Sequence, residues 1–228
     1  VEEVCKFISA FGTGIKNFKM VDVSVEKVIN KLPKSIKDRL MSDLEKRRVE
    51  IKKEKDVEKI AFIMRSNKDF VILNIDNNQN ITCKTIQFSH EKSNIFFSLD
   101  EESDGTIRLL DLLEVLLSNK DKTYVIDELD RCLHPSLSYK FIKTFLQKAE
   151  KSNIQLIVTT HESRLMDFNL LRRDEIWFVN KKSSGESDIY SLEEYNERFD
   201  KKIDKAYLEG RYGGVPIFST VFPIEKED

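Results

Sequence analysis

The chain has 228 residues, 40% of them hydrophobic and 34% charged, enough to bury a substantial core in one good-sized domain or two small ones. Its 38 Lys and Arg nearly balance 40 Asp and Glu, so the net charge of -2 excludes a field that draws the whole molecule to nucleic acid or membrane. Three cysteines without C-x-x-C spacing exclude a disulfide framework and a zinc cluster, and no long apolar run or apolar leader occurs, so a reducing cytoplasm without membrane contact is expected.

The chain begins with Val rather than Met, which suits a piece of a longer protein. Residues 1–57 are expected to form a helical arm or insertion. Pro33 suits a helix start, Ile36, Leu40 and Leu44 recur every four residues, and residues 45–55 form a run of mixed charge. Acids interleaved with the bases favour a solvated face; a nucleic-acid-binding arm is the alternative. Over residues 58–94 the period changes to two. Ile60, Phe62 and Met64 alternate, as do Phe70 and Ile72, with turns at 66–69 and 76–80 before the run 81–88. That predicts an antiparallel meander, with 60–65 as the end of the preceding helix the other option.

Residues 95–228 are expected to form an α/β lobe, a mostly parallel sheet with covering helices. Leu109, Leu110, Leu112, Leu113, Leu116 and Leu117 predict a deeply packed helix. Thr123-Tyr124-Val125-Ile126 predicts a short buried strand, Pro135 opens a helix carrying Leu137, Phe141, Phe145 and Ala149, and residues 154–158 and 175–179 predict two further buried strands.

Three constellations carry chemistry. Asp127 and Glu128 end an apolar strand, where open α/β sheets bind ligands, and such a pair suits a metal-orienting carboxylate beside a general base. Thr159-Thr160-His161 ends the next apolar strand, so His161 emerges at the same sheet edge as Glu128 if the two strands are neighbours; the alternative is a satisfied core or cap histidine, with Thr160 or His161 beginning the following helix. Ser103-Asp104-Gly105-Thr106 opens the leucine helix. Ser103 is a good N-cap, and a helix start with glycine in its first turn suits either an anion site or a plain cap. None of the seven glycines sits in a Gly-x-x-x-x-Gly-Lys-Ser/Thr phosphate loop.

The order and spacing of these parts resemble the second lobe of ABC-type ATPases of the SMC, RecF and OLD-like kind. They resemble most closely the AAA-like ATP-binding proteins of bacterial phage-defence and abortive-infection systems. The likeness rests on Glu102-Ser103-Asp104-Gly105-Thr106, on Asp127 to Pro135, on Thr160-His161-Glu162-Ser163 and on the tail Tyr207 to Gly213. It implies ATP and Mg²⁺ as cofactors, Asp127 at the metal, and Glu128 and His161 as catalytic residues. Asp130, Leu133 and His134 fall in the D-loop, and Ser103, Gly105 and Thr106 act as a signature on the nucleotide of a second copy. A homodimer, the chain's own N-terminal lobe carrying the phosphate loop, and a separate effector such as a nuclease or toxin are the implied partners; nucleic acid is a further one without proof. Alone, the chain is expected neither to hold ATP tightly nor to turn it over. His134 stands where SMC-type proteins carry aspartate, Glu102 and Asp104 depart from the signature, and Gln87 is a poor glutamine-loop candidate because it sits in a strand pattern. Two alternatives remain: a metal-dependent nuclease using Asp127, Glu128, Asp130, His134 and His161, and a non-catalytic module docking a partner through the tail 210–216.

Overall fold

The computed structural model describes residues 2–51, 59–65, 68–76, 78, 80–90, 93–117, 121–150, 152–195 and 203–215. Positions 52–57, 66, 67, 77, 79 and 216, which entered the expectations for the arm, the turns and the tail, lie outside them. The chain divides into two compact units, Val1–Glu114 and Val115–Asp228.

The first unit is built on one antiparallel sheet. After α1 (Glu2–Ala10) come β1 (Ile15–Val23), α2 (Val25–Lys31) and α3 (Lys34–Ile51), then β2 (Lys59–Arg65), β3 (Phe70–Ile75), β4 (Ile81–His90) and β5 (Phe96–Ser98). The strand order is β1-β4-β3-β2, with β5 also paired to β4. Residues 60–65 are therefore strand rather than helix end, and β2, β3 and β4 pair consecutively as an antiparallel meander. The expected helical arm needs correction at β1. Residues 15–23 form a strand whose partner is β4, from Ile15 opposite His90 to Val23 opposite Cys83. Leu40 and Leu44 of α3 are buried with Val71, Leu73, Ile75 and Cys83, while Ile36 on the same helical face stays half exposed. This is one ordinary amphipathic helix on a sheet face. Next in the chain is α4 (Asp104–Leu117), which begins in the first unit and ends in the second; its Leu109, Leu112, Leu113 and Leu116 are buried as the leucine pattern requires.

The second unit holds β6 (Lys122–Ile126), α5 (Pro135–Ala149), β7 (Ile154–Val158), β8 (Trp177–Lys181), β9 (Ser187–Ser191) and α6 (Ile203–Leu208). The chain is α/β, but the expected mostly parallel sheet is not what the described strands form. Only β6 and β7 are parallel; β8 and β9 make a separate antiparallel hairpin. Nor are these strands buried on both faces. Val125, Ile157, Trp177 and Val179 are exposed, while Phe178 between the last two is buried. Apolar runs of this length read as doubly buried strands, yet here they alternate like half-covered ones.

Ile176, Phe178, Leu192, Ile203, Ala206 and Tyr212 form one buried core under the hairpin, with Leu171 packed against it. Phe178 is stacked by Tyr207 at 5.6 Å and by Tyr212 at 5.3 Å, and the Tyr195 ring meets Tyr212 edge-on at 5.1 Å. The Tyr190 hydroxyl donates to the Tyr212 carbonyl, and the Gly214 N–H donates to Asn180 Oδ1 at 3.3 Å. Gly213 has φ +68°, and a Cβ there would stand 2.5 Å from the Tyr190 hydroxyl oxygen. Glycine is therefore required by the close approach and by the left-handed backbone together. Residues 207–214 are thus packed as a structural clasp on the hairpin.

Candidate functional site

Ile126 and Val158 end two adjacent parallel strands in register, so the segments that follow leave the sheet at the same edge. The intervening α5 makes the crossover that a parallel pair needs. Its start is set by Pro135 in the first turn and by His134, whose Nδ1 accepts from the Ser136 N–H at 3.2 Å. His134 is therefore a helix cap, whatever else it does.

Beyond Ile126 the chain bends sharply. Glu128 has φ +49° and Cys132 φ +61°, the left-handed region that few residues other than glycine enter. Turns follow from Glu128 O to Arg131 N at 3.1 Å and from Asp130 O to Leu133 N at 3.0 Å. Leu129 is fully buried and anchors the bend, its N–H donating to the Thr159 carbonyl at 2.9 Å.

The acidic loop and the end of β7 are tied by side chains. Thr159 Oγ1 donates to Asp127 Oδ1 and accepts from the Glu128 N–H at 2.9 Å. Thr160 Oγ1 donates to Asp130 Oδ1 at 2.6 Å, and the His161 N–H reaches that oxygen at 3.2 Å. Asp127, Glu128, Asp130 and His161 thus lie in one cluster. The cap alternative for this strand end belongs to its neighbours: Thr160 Oγ1 accepts from the Glu162 N–H at 3.1 Å, and Glu162 caps the short 3-10 turn Ser163–Leu165. Leu133 and His134 follow in the turn into α5.

Burial by itself pushes the Asp130 carboxyl up. The hydrogen bonds from Thr160, its own backbone and the His161 N–H, with the His161 imidazole adding in the same direction, outweigh it and hold the group below its ordinary value of 3.8. A depressed carboxylate contributes stability that is complete above that ordinary value and is lost as pH falls through the lower folded value. Urea midpoints at pH 7 and pH 3 are therefore expected to differ less for Asp130→Asn than for the unaltered chain. Equal pH dependence in the two proteins contradicts the assignment. Glu128 and Arg131 form an ion pair at 3.9 Å, both largely exposed and hence energetically slight.

Ser103, Gly105 and Thr106 lie at the start of α4 in the first unit. Ser103 Oγ accepts from the Thr106 N–H at 3.1 Å and lies 2.9 Å from the Thr106 hydroxyl. This is a satisfied N-cap, which also leaves a helix start of the kind that receives anions. The adjacent Glu102 is buried and pairs with His90 Nε2 of β4 at 2.8 Å, so the turn before Ser103 is moored to the sheet. Sequence reasoning missed this mooring and both threonine clamps, because each joins residues distant along the chain.

A model of the family described as "AAA domain, putative AbiEii toxin, Type IV TA system" matches residues 11–167, more than half of the chain. The chain belongs to this AAA family. A comparison with curated proteins returns no match. The matched span runs from just before β1 to just past the Thr159–His161 cluster, so it takes in both the acidic loop and the Ser103 turn of the AAA domain. Membership makes the domain AAA-like and nucleotide-binding in class, with an abortive-infection or toxin–antitoxin association. No helix among the described residues is long and apolar enough to cross a membrane. Nor, among the described residues, is there a group of three or more His, Cys, Asp and Glu side chains placed to hold a metal alone.

Proposed function

We propose that this AAA domain binds and hydrolyses ATP as part of a dimerising, ABC-type ATPase that regulates an effector in an abortive-infection system. The observation that carries the reading is the delivery of Asp127, Glu128 and His161 to one edge of a parallel strand pair. Hydrolysis of a phosphoanhydride needs a positioned base for water and charge stabilisation at the γ-phosphate, and little covalent chemistry from the protein. In this reading Glu128 accepts hydrogen bonding from the attacking water and orients it. The His161 imidazole contacts the γ-phosphate. Asp127 is the residue that would hold Mg²⁺; an oxygen donor set with few protein ligands suits an ion that keeps waters and takes phosphate oxygens. When bound, Mg²⁺ supplies charge neutralisation on the phosphates. Asp130 supports the histidine from the D-loop. The second lobe of an ABC-type ATPase is then residues 95–228, preceded in the chain by the helices and antiparallel strands of residues 2–90.

The reading assigns Ser103, Gly105 and Thr106 to the nucleotide of a second copy, and the phosphate loop to a part of the protein outside these 228 residues. Ser103→Arg tests the trans assignment in the whole protein. ATP is expected to convert the unaltered protein to a dimer in light scattering and to leave the variant monomeric, with nucleotide affinity of the monomer unchanged. A variant that still dimerises with ATP sinks the assignment.

A further inference from the structure

The two residues that follow β7 carry hydroxyls in succession, and these reach opposite ends of the acidic loop. Thr159 turns to the beginning of the acidic loop, where Oγ1 donates to Asp127 Oδ1 and accepts the Glu128 N–H at 2.9 Å. Thr160 turns to the other end, donating to Asp130 Oδ1 at 2.6 Å, and the same oxygen holds the His161 N–H at 3.2 Å. Glu128 sits at φ +49°, a conformation a residue with a Cβ keeps only where its surroundings over-determine it. The Thr159 hydroxyl on its N–H and the Leu129 N–H on the Thr159 carbonyl at 2.9 Å are such surroundings.

We propose that Thr159 and Thr160 are positioning residues, a two-pronged latch that holds the Asp127–Glu128 pair and His161 as one unit. Thr159 holds the Asp127 carboxylate and the Glu128 backbone directly. Thr160 acts through Asp130, whose carboxylate fixes the backbone of the histidine. The inference rests on the ATPase reading of this cluster and adds to it a physical link between the acidic loop and the histidine. A displacement of reacting groups by about 1 Å costs on the order of 10²-fold in rate. In that reading the two hydroxyls bond no nucleotide atom themselves but orient Asp127 and His161, which face the phosphates, so their loss lowers kcat far more than it changes KM.

Valine keeps the shape of threonine and removes the hydroxyl; serine keeps the hydroxyl. Thr159 is exposed and Thr160 half-buried, so neither exchange threatens folding. In the whole protein, Thr159→Val and Thr160→Val are expected to lower kcat about tenfold to a hundredfold with KM within about twofold, and the serine variants to recover most of it. Amide hydrogen exchange gives a second, independent readout. The Glu128 amide is expected to exchange at least about tenfold faster in Thr159→Val, and the His161 amide in Thr160→Val, because each loses the contact that protects or orders it. Wild-type kcat in the valine variants, serine variants as impaired as valine, or unchanged exchange each overturns the latch. If the unaltered protein hydrolyses no ATP, the ATPase reading falls and exchange alone decides: acceleration confined to these amides supports the latch, and its absence removes it.

Discussion

Glu128→Gln in the whole protein is expected to lower ATP turnover by about 10²–10⁴-fold, the usual contribution of a positioned general base. The substitution isolates chemistry from architecture. Glutamine has the same length and tolerates the same backbone, so the bend at φ +49° and the N–H bond to Thr159 are kept. What disappears is a carboxylate able to take a proton from water. The pair with Arg131 also goes, but at 3.9 Å between exposed groups it contributes little to stability. The variant should therefore melt as the unaltered protein does, bind ATP, and accumulate as an ATP-bound dimer. Steady-state phosphate release and light scattering with ATP read both effects. Normal turnover in Glu128→Gln means that the base is another residue.

Tyr212→Ala is expected to destabilise the second unit by about 3–5 kcal/mol, the range for removing a large buried aromatic side chain. Tyr212 is 1% exposed, lies 5.3 Å from Phe178 in a stacked arrangement, and receives Tyr195 edge-on. Its truncation opens a cavity at the centre of the hairpin core and forfeits the ring pairings, worth about 0.5–1.5 kcal/mol each beyond area. It also loosens the turn in which Gly213 fits under Tyr190. Denaturant unfolding measures the loss. A change below about 1 kcal/mol, accompanied by failure to bind a partner, would transfer the tail from clasp to docking segment.

The local grammar of this chain was legible where neighbours in sequence are neighbours in space. Alternation at Ile60, Phe62 and Met64 and at Phe70 and Ile72 announced two strands, the leucine run announced α4, and Pro135 announced the start of α5. β1 was hidden because its partner β4 lies some sixty residues on, and its mixed Lys, Asn, Asp and apolar composition carries no buried face until that partner is present. The strands expected at 123–126, 154–158 and 175–179 lie at 122–126, 154–158 and 177–181, the last displaced because Glu175 ends a 3-10 turn; their environment was not legible, since an apolar run looks the same whether one face or both are covered. In the candidate site, the residue types that do chemistry were visible as Asp127-Glu128 and as His161 following two threonines. What holds them was not.

By itself, then, the sequence determined an inventory: two acids at one strand end, a histidine at another, a capped helix start at Ser103, and the absence of a phosphate loop within these residues. The tertiary structure decided the neighbourhood. Parallel pairing of β6 with β7 places Asp127 beside Thr159, and Asp130 beside Thr160 and His161, by contacts spanning about thirty residues. The physical reason is that covalent order constrains only a residue's nearest neighbours along the chain. Which hydroxyl meets which carboxylate depends on the register of hydrogen bonds between strands, and no local pattern encodes it.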